Sequence, residues 1–429
     1  MQTIIGTDPS NFLSFDAIGG DVIDIESCKS LKDAVNCKRQ DFVLRQINLG
    51  VDINEIDNYG STALHLACQR VNQDIVETLL NHGADSNYPD RAGRTPLHMC
   101  CSIGTRGMPI ARIILRFGCH MNVRTKYEGW TALYWAVSIG HPGLVDLLLN
   151  HGADSNIPSR DGISPLHCCI LSTCKQEILK ALINHGADIE AISDQNQGQG
   201  ALHLAVMKGR MGAIQLLLNK GADCTKRDNC GRSPLDLACH YDQLGALKIL
   251  LSRITKFDTL NTPLWYVLTE DKFDIATTLL HHGAELNFKD SEGNTPLHFA
   301  CRNRKLNLLE YLMEKSHLID FGSTDVEGNT ALHLACLHGF AEGVRTLLTT
   351  RLSVDAKNTN GYPALHLACY YGYIDIIRSL IRAGADLECR DSMGNACIHI
   401  AFLASSADVL FTLLDFGANL SITVNIDHI

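Results

Sequence analysis

The chain is predicted to be all-α, an array of stacked helix-turn-helix units with projecting β-hairpins. Three observations predict it: a motif that returns at intervals clustering on 33 residues, an apolar stripe of helical spacing after each copy, and a glycine closing most of the stripes. The motif is Ser61-Thr62-Ala63-Leu64-His65-Leu66-Ala67-Cys68, repeated as Thr95-Pro96-Leu97-His98, Thr295-Pro296-Leu297-His298, Thr330-Ala331-Leu332-His333 and Pro363-Ala364-Leu365-His366. With its threonine as origin the series is Thr62, Thr95, Thr131, Ser164, Gly200, Ser233, Thr262, Thr295, Thr330, Pro363 and Ala396, eleven units. A degenerate unit at 30–58 precedes them, because Gly50-Val51-Asp52-Ile53-Asn54 stands 33 residues before Gly83-Ala84-Asp85-Ser86-Asn87.

Within a unit, Thr or Ser before Pro, as at Thr95, Ser164, Ser233 and Thr262, supplies an N-cap acceptor and then a proline whose missing N–H costs nothing. A short first helix starts there. A second carries Ile75, Val76, Leu79 and Leu80, echoed by Leu144, Val145, Leu148 and Leu149 and by Ile376, Ile377, Leu380 and Ile381, the i, i+3, i+4 spacing of one face. One unit cannot bury that stripe, so neighbours must stack. Gly83, Gly152 and Gly384 stop the second helix, and Asp57-Asn58-Tyr59-Gly60, Asp290-Ser291-Glu292-Gly293 and Asp391-Ser392-Met393-Gly394 turn the chain at a hairpin.

Thr-Pro-Leu-His opening a unit and Gly-Ala-Asp closing it resemble the ankyrin repeat, over residues 30–427. The resemblance implies a curved solenoid whose concave surface, lined by hairpin tips and first helices, binds other proteins. It also implies that His65, His98, His167, His203, His298, His333, His366 and His399 brace the turn and the adjacent unit. The partner stays open, since one repeat family serves many functions. The first reading is a scaffold or adaptor gripping partner proteins; the alternative is the substrate-receptor subunit of a multi-protein complex such as a ubiquitin ligase.

The unbroken period argues for one elongated array rather than several globular domains, with residues 1–29 as a flexible tail. A net charge of −10 and no Lys/Arg run speak against nucleic acid, and no apolar stretch is long enough to span a membrane. Of 17 cysteines, Cys68, Cys101, Cys239, Cys301, Cys336 and Cys369 share one position six residues past the origin, where a compact buried side chain fits; Cys168, Cys169 and Cys174 lack the second pair of a zinc site. An odd count without framework spacing points to a reducing compartment, cytoplasm or nucleus. No catalytic motif is found, so the expectation is a monomeric non-enzyme without cofactor or metal.

Candidate contacts are where the array departs from its pattern. Tyr127, Trp130, Tyr362, Tyr370 and Tyr371 are aromatics at hairpins and first-helix ends and candidate partner contacts, all but Tyr362 expected to be exposed on the concave side, while Tyr134 and Trp135 replace His-Leu and more simply fill core volume. Arg91, Arg94, Arg124, Lys126 and Arg160 mark early hairpins, and Asp290, Glu292, Asp325 and Glu327 later ones, a gradient that would orient a partner. Ser233 to Thr262 is only 29 residues, so a junction is expected at 253–262. Two intervals lengthen to 36, around Thr105–Pro109 and around Leu171–Cys174 with Gln197–Gln199. Finally, Asn87, Asn156 and Asn287, each eight residues after Leu79, Leu148 or Leu279, resemble the pattern modified by the oxygen-sensing asparaginyl hydroxylase, although asparagine also suits the turn.

Overall fold

The structure, a computed structural model, describes residues 30–172, 175–193, 196–254 and 260–419. The expected tail at 1–29, Thr173 and Cys174 of one insertion, residues 255–259 of the junction and the end of the array beyond 419 lie outside them. The chain divides into two compact units, the first ending at Arg253 and the second beginning at Ile254.

Each unit is a stack of helix pairs. In the first, Ala63–Gln69 packs on Pro96–Ser102, which packs on Ala132–Ile139, and their second helices Gln73–Asn81, Met108–Phe117 and Pro142–Asn150 follow the same order. In the second, Pro296–Arg302, Ala331–Leu337, Ala364–Tyr371 and Cys397–Leu403 stack likewise. Twelve such pairs are present among the described residues. The apolar stripes meet between pairs: Ile75, Val76, Leu79, Leu144, Val145 and Leu148 are fully buried, while Ile381 is only half-buried. The six periodic cysteines have no exposed surface, as a compact buried hydrophobe should.

The histidines explain why most first helices begin where they do; Asp33 and Asp236 take the same place in two others. The N–H of Thr62 donates to His65 Nδ1 (3.2 Å), and His65 Nε2 donates to the Arg94 carbonyl of the next hairpin (3.0 Å). A carbonyl can only accept, so the proton sits on Nε2 and Nδ1 is free to cap. His98 repeats this with Thr95 and Trp130, His298 with Thr295 and Asn329, and His333 with Thr330 and Tyr362. At Gly200 and Ala396 the hydroxyl is lost, yet the backbone N–H still donates to His203 and His399. Pro363 has no N–H, and there neither ring nitrogen of the buried His366 caps the turn or braces the next hairpin, its polar neighbour being the Cys397 thiol. Burial disfavours the imidazolium, so His65, His203, His298 and His333 titrate below the ordinary range and His98 and His167 at about 4.

Two expectations need correction. Thr262 is not an N-cap: its helix is Asn261–Thr269, capped by Leu260 in a helical conformation, so the short unit starts before its threonine. The projecting hairpins are mostly turns. Among the described residues only Ile192–Ser193 and Gln199–Gly200 form paired strands, antiparallel, in the lengthened unit. The other insertion folds as a 3-10 turn, Gly104–Gly107, running into the longer helix Met108–Phe117. Only glycine fits at 107, where a Cβ would lie 1.9 Å from the Cys100 carbonyl oxygen.

Candidate functional site

Six of the hairpins are locked by a carboxylate that the turn signals only hinted at, and those at Thr125, Ser159 and Asn358 by a hydroxyl or an amide oxygen. Asp90 Oδ1 accepts from the N–H groups of Ala92 (2.9 Å) and Arg94 (2.8 Å); Asp57, Asp228, Asp290, Asp325 and Asp391 do the same at i+2 and i+4. Six carboxylates fixing six turns make the tips rigid.

The tips are also joined to one another. The N–H of Arg91 donates to the Tyr59 carbonyl (3.0 Å), that of Lys126 to Ala92 (2.7 Å) and that of Arg160 to Glu128 (2.8 Å). In the second unit Val326 donates to Glu292, Thr359 to Glu327 and Ser392 to Asn360. The acceptor always precedes a glycine with positive φ, and at Gly93 and Gly129 a Cβ would lie 2.8 and 2.9 Å from the next tip's nitrogen. Glycine is therefore needed for both the conformation and the approach. Among the described residues the bond recurs further along the first unit, where the N–H of Asn229 donates to the Gln197 carbonyl (2.8 Å) before Gly198.

On this ridge the nominated residues separate. Tyr127 (59% exposed), Tyr370 (57%) and Tyr371 (48%) stand out from the surface, with Lys126 Nζ 5.8 Å from the Tyr127 ring and Tyr370 edge-on to Tyr371. Trp130, expected to be exposed, is half-buried: it stacks on Tyr134 at 5.2 Å and meets Trp135 edge-on at 5.5 Å, which leaves one part of the indole for contact. Tyr134 is buried core, and Trp135 and Tyr362 are half-buried, Tyr362 lying 6.1 Å from the His366 ring.

Charges sort the same way. Arg91, Lys126 and Arg160 are exposed, and among the described residues none forms an ion pair. Arg94, nominated as a contact, is instead spent inside its hairpin, 2.7 Å from the buried Asp90 carboxylate, and Arg124 donates to the carbonyls of Gly129 and Pro158. Asp290 and Asp325 are turn locks rather than surface charges; Glu292 and Glu327 are the exposed acids of their hairpins, Glu292 paired with Arg302 at 3.0 Å.

The asparagines have a structural task. Asn87 Oδ1 accepts from the His120 N–H (2.6 Å), Asn156 from Asp188 (2.7 Å) and Asn287 from Asp320 (2.9 Å), continuing a ladder begun by Asn54 on Asp85 and Asn122 on Asp154. At the short unit Asn261 keeps it going by accepting from Glu285. This ladder was missed in the sequence, although Asn54, Asn87, Asn122, Asn156, Glu190, Asn287 and Glu388 at one recurring place were its visible signal. Among the described residues no cluster of His, Cys, Asp and Glu is placed to hold a metal, and no helix is long and apolar enough to cross a membrane.

Comparison with known proteins agrees with this geometry. Family models described as ankyrin repeats match residues 31–108, 104–193, 264–358 and 348–424 in a three-copy form, and 170–218 and 202–251 in a many-copy form. An ankyrin repeat protein of Acanthamoeba polyphaga mimivirus is 24% identical over 215 residues, 48% of this chain and 28% of its own length. The B-cell lymphoma 3 protein homolog of Mus musculus is 30% identical over 198 residues, 44% of this chain and 43% of its own. The chain thus spans less than half of either relative. The crystal structure of the ankyrin repeat domain of Bcl-3 is 28% identical with a TM-score of 0.48, covering 52% of this chain and 97% of that one. With repeat models matched along most of its length, the chain belongs to the ankyrin repeat family.

Proposed function

We propose that this protein is a protein-interaction scaffold, or adaptor, that holds partner proteins on its hairpin ridge and first-helix ends. Ankyrin repeats are protein-interaction modules. The observation that carries the finer reading is the exposure of Tyr127, Tyr370 and Tyr371, aromatics that pack no core at positions the fold leaves free. Tyrosine and tryptophan on a rigid surface are strong anchors, each about 2 kcal/mol or more when truncated. Trp130, Tyr362 and Arg91 complete the proposed contact set. We place the protein in the cytoplasm or nucleus as a monomer.

Affinity capture with the full chain, quantified by mass spectrometry, tests this. Partners recovered by the wild type should fall about tenfold or more with Y127A/W130A or Y370A/Y371A. Unchanged recovery with both variants contradicts the proposal. Recovery of cullin-type subunits would favour a ubiquitin-ligase receptor over a simple adaptor.

A further inference from the structure

In three successive hairpins of the first unit, the residue whose N–H bonds the preceding tip is a cation: Arg91, Lys126 and Arg160. The same position holds Asn229 later in that unit and Val326, Thr359 and Ser392 in the second. Nothing in the backbone bond asks for a cation, since the side chain is not used by it. All three side chains are exposed, and none is neutralised by an ion pair among the described residues. The acids beside them are Asp90, buried and paired with Arg94, Glu128, which accepts from the Thr125 hydroxyl, and Asp161; with Arg94 and Arg124 included, five cations face three carboxylates. The strip is therefore positive on a chain whose net charge is −10.

From this we infer that the Arg91–Lys126–Arg160 ridge binds an acidic segment of a partner protein in an extended, polyproline-II conformation, with carboxylates at i, i+3 and i+6. The register follows from two repeats of similar length. Packed helices lie about 8–10 Å apart, so equivalent tips recur at about that interval. A polyproline-II chain has three residues per turn and rises about 3.1 Å per residue, which returns the same face every ~9 Å. Each tip then meets one carboxylate. A flat β-strand, with side chains alternating in period two, would turn the middle carboxylate away. Tyr127, beside Lys126 and 59% exposed, offers the segment an aromatic face between charges. The net negative charge repels long polyanions such as nucleic acid, which favours a short acidic peptide.

This inference rests on the hairpin tips being the protein-binding face, and its test separates the two. Fluorescence anisotropy of the full chain would use the labelled peptide Pro-Glu-Pro-Ala-Glu-Pro-Ala-Glu-Pro-Ala and a control of equal composition, Pro-Ala-Glu-Glu-Glu-Pro-Ala-Pro-Ala-Pro. The spaced peptide should bind about tenfold more tightly than the clustered one, and K126E should weaken it about tenfold while E292Q in the second unit leaves it unchanged. Circular dichroism confirms that K126E stays folded. Equal affinity for both peptides, indifference to K126E, or equally tight binding of inorganic polyphosphate overturns the proposal. If those failures occur while Y127A/W130A still loses captured partners, the acidic segment is wrong and the scaffold reading stands; if both fail, the scaffold reading falls with it.

Discussion

The two units share one backbone device and dress it differently. Tip-to-tip bonds run through Arg91, Lys126 and Arg160 in the first unit and through Val326, Thr359 and Ser392 in the second, each accepted by the residue before a left-handed glycine. The first presents cations and Tyr127; the second presents Glu292 and Glu327, partly occupied by Arg302 and Asn329. The difference teaches that the ridge is held together by the oxygen of one turn side chain per tip, carboxylate, hydroxyl or amide, with glycines and backbone, so its outward side chains are not needed to hold it.

Acidification should expose the largest contrast between the units. His65, His98, His167 and His203 in the first, and His298, His333 and the more exposed His338 in the second, are held below their ordinary range by desolvation, furthest at His98 and His167. Each binds a proton more readily when unfolded, so its stabilisation is complete above about pH 6.5 and is lost as pH falls toward the folded value, about 4 for His98 and His167. The slope is up to about 1.4 kcal/mol per pH unit for each of the buried histidines. Denaturation followed by Trp130 and Trp135 (in W265F) should lose more stability between pH 6.5 and 4.5 than denaturation followed by Trp265 (in W130F/W135F). Equal losses would break the contrast.

The cap geometry predicts a second difference. His98→Leu strands the Thr95 N–H and the Trp130 carbonyl and should cost about 3 kcal/mol, one unmade buried bond being worth roughly 1–3. His366→Leu removes a ring that neither caps the turn nor braces the next hairpin and should cost under about 1 kcal/mol. Urea titration of the two variants checks the ratio, and similar costs would remove the cap from the explanation.

Those caps show how much was legible in the sequence. Period, helix pairs, buried cysteines and bracing histidines could be read because each repeats, and repetition turns a weak local preference into a strong one. Trp130 and Arg94 were misplaced for the opposite reason: each is a single departure, and its burial depends on particular neighbours, Tyr134 and Asp90, whose distances no periodicity reports. The tip-to-tip ridge was hidden because it is made of backbone, and only its glycines showed. Thr262 misled because its dipeptide looked like the others while the shortened hairpin moved the helix start to Asn261.

A smaller effect isolates the ridge itself. Gly129→Ala meets both a φ of +69° and the Arg160 nitrogen at 2.9 Å, whereas Gly152→Ala, at a helix end off the ridge, meets a φ of +90° and open space. The second should cost about 1 kcal/mol for the backbone alone, and the first about 1 kcal/mol more for the lost tip contact. Thermal unfolding of the pair measures the difference, and equal shifts would mean that the tip bonds contribute nothing.

The most direct test of the central claim, that scaffold and recognition are separable on this ridge, gives the first unit the second unit's side chains through R91V, K126T and R160S together. The measurement is one urea titration and one binding titration with the spaced acidic peptide on the same protein. Separability predicts stability within about 0.5 kcal/mol per site of the wild type, as for surface substitutions elsewhere, with peptide binding reduced about tenfold or more. Loss of several kcal/mol of stability, or retention of wild-type binding, would contradict it.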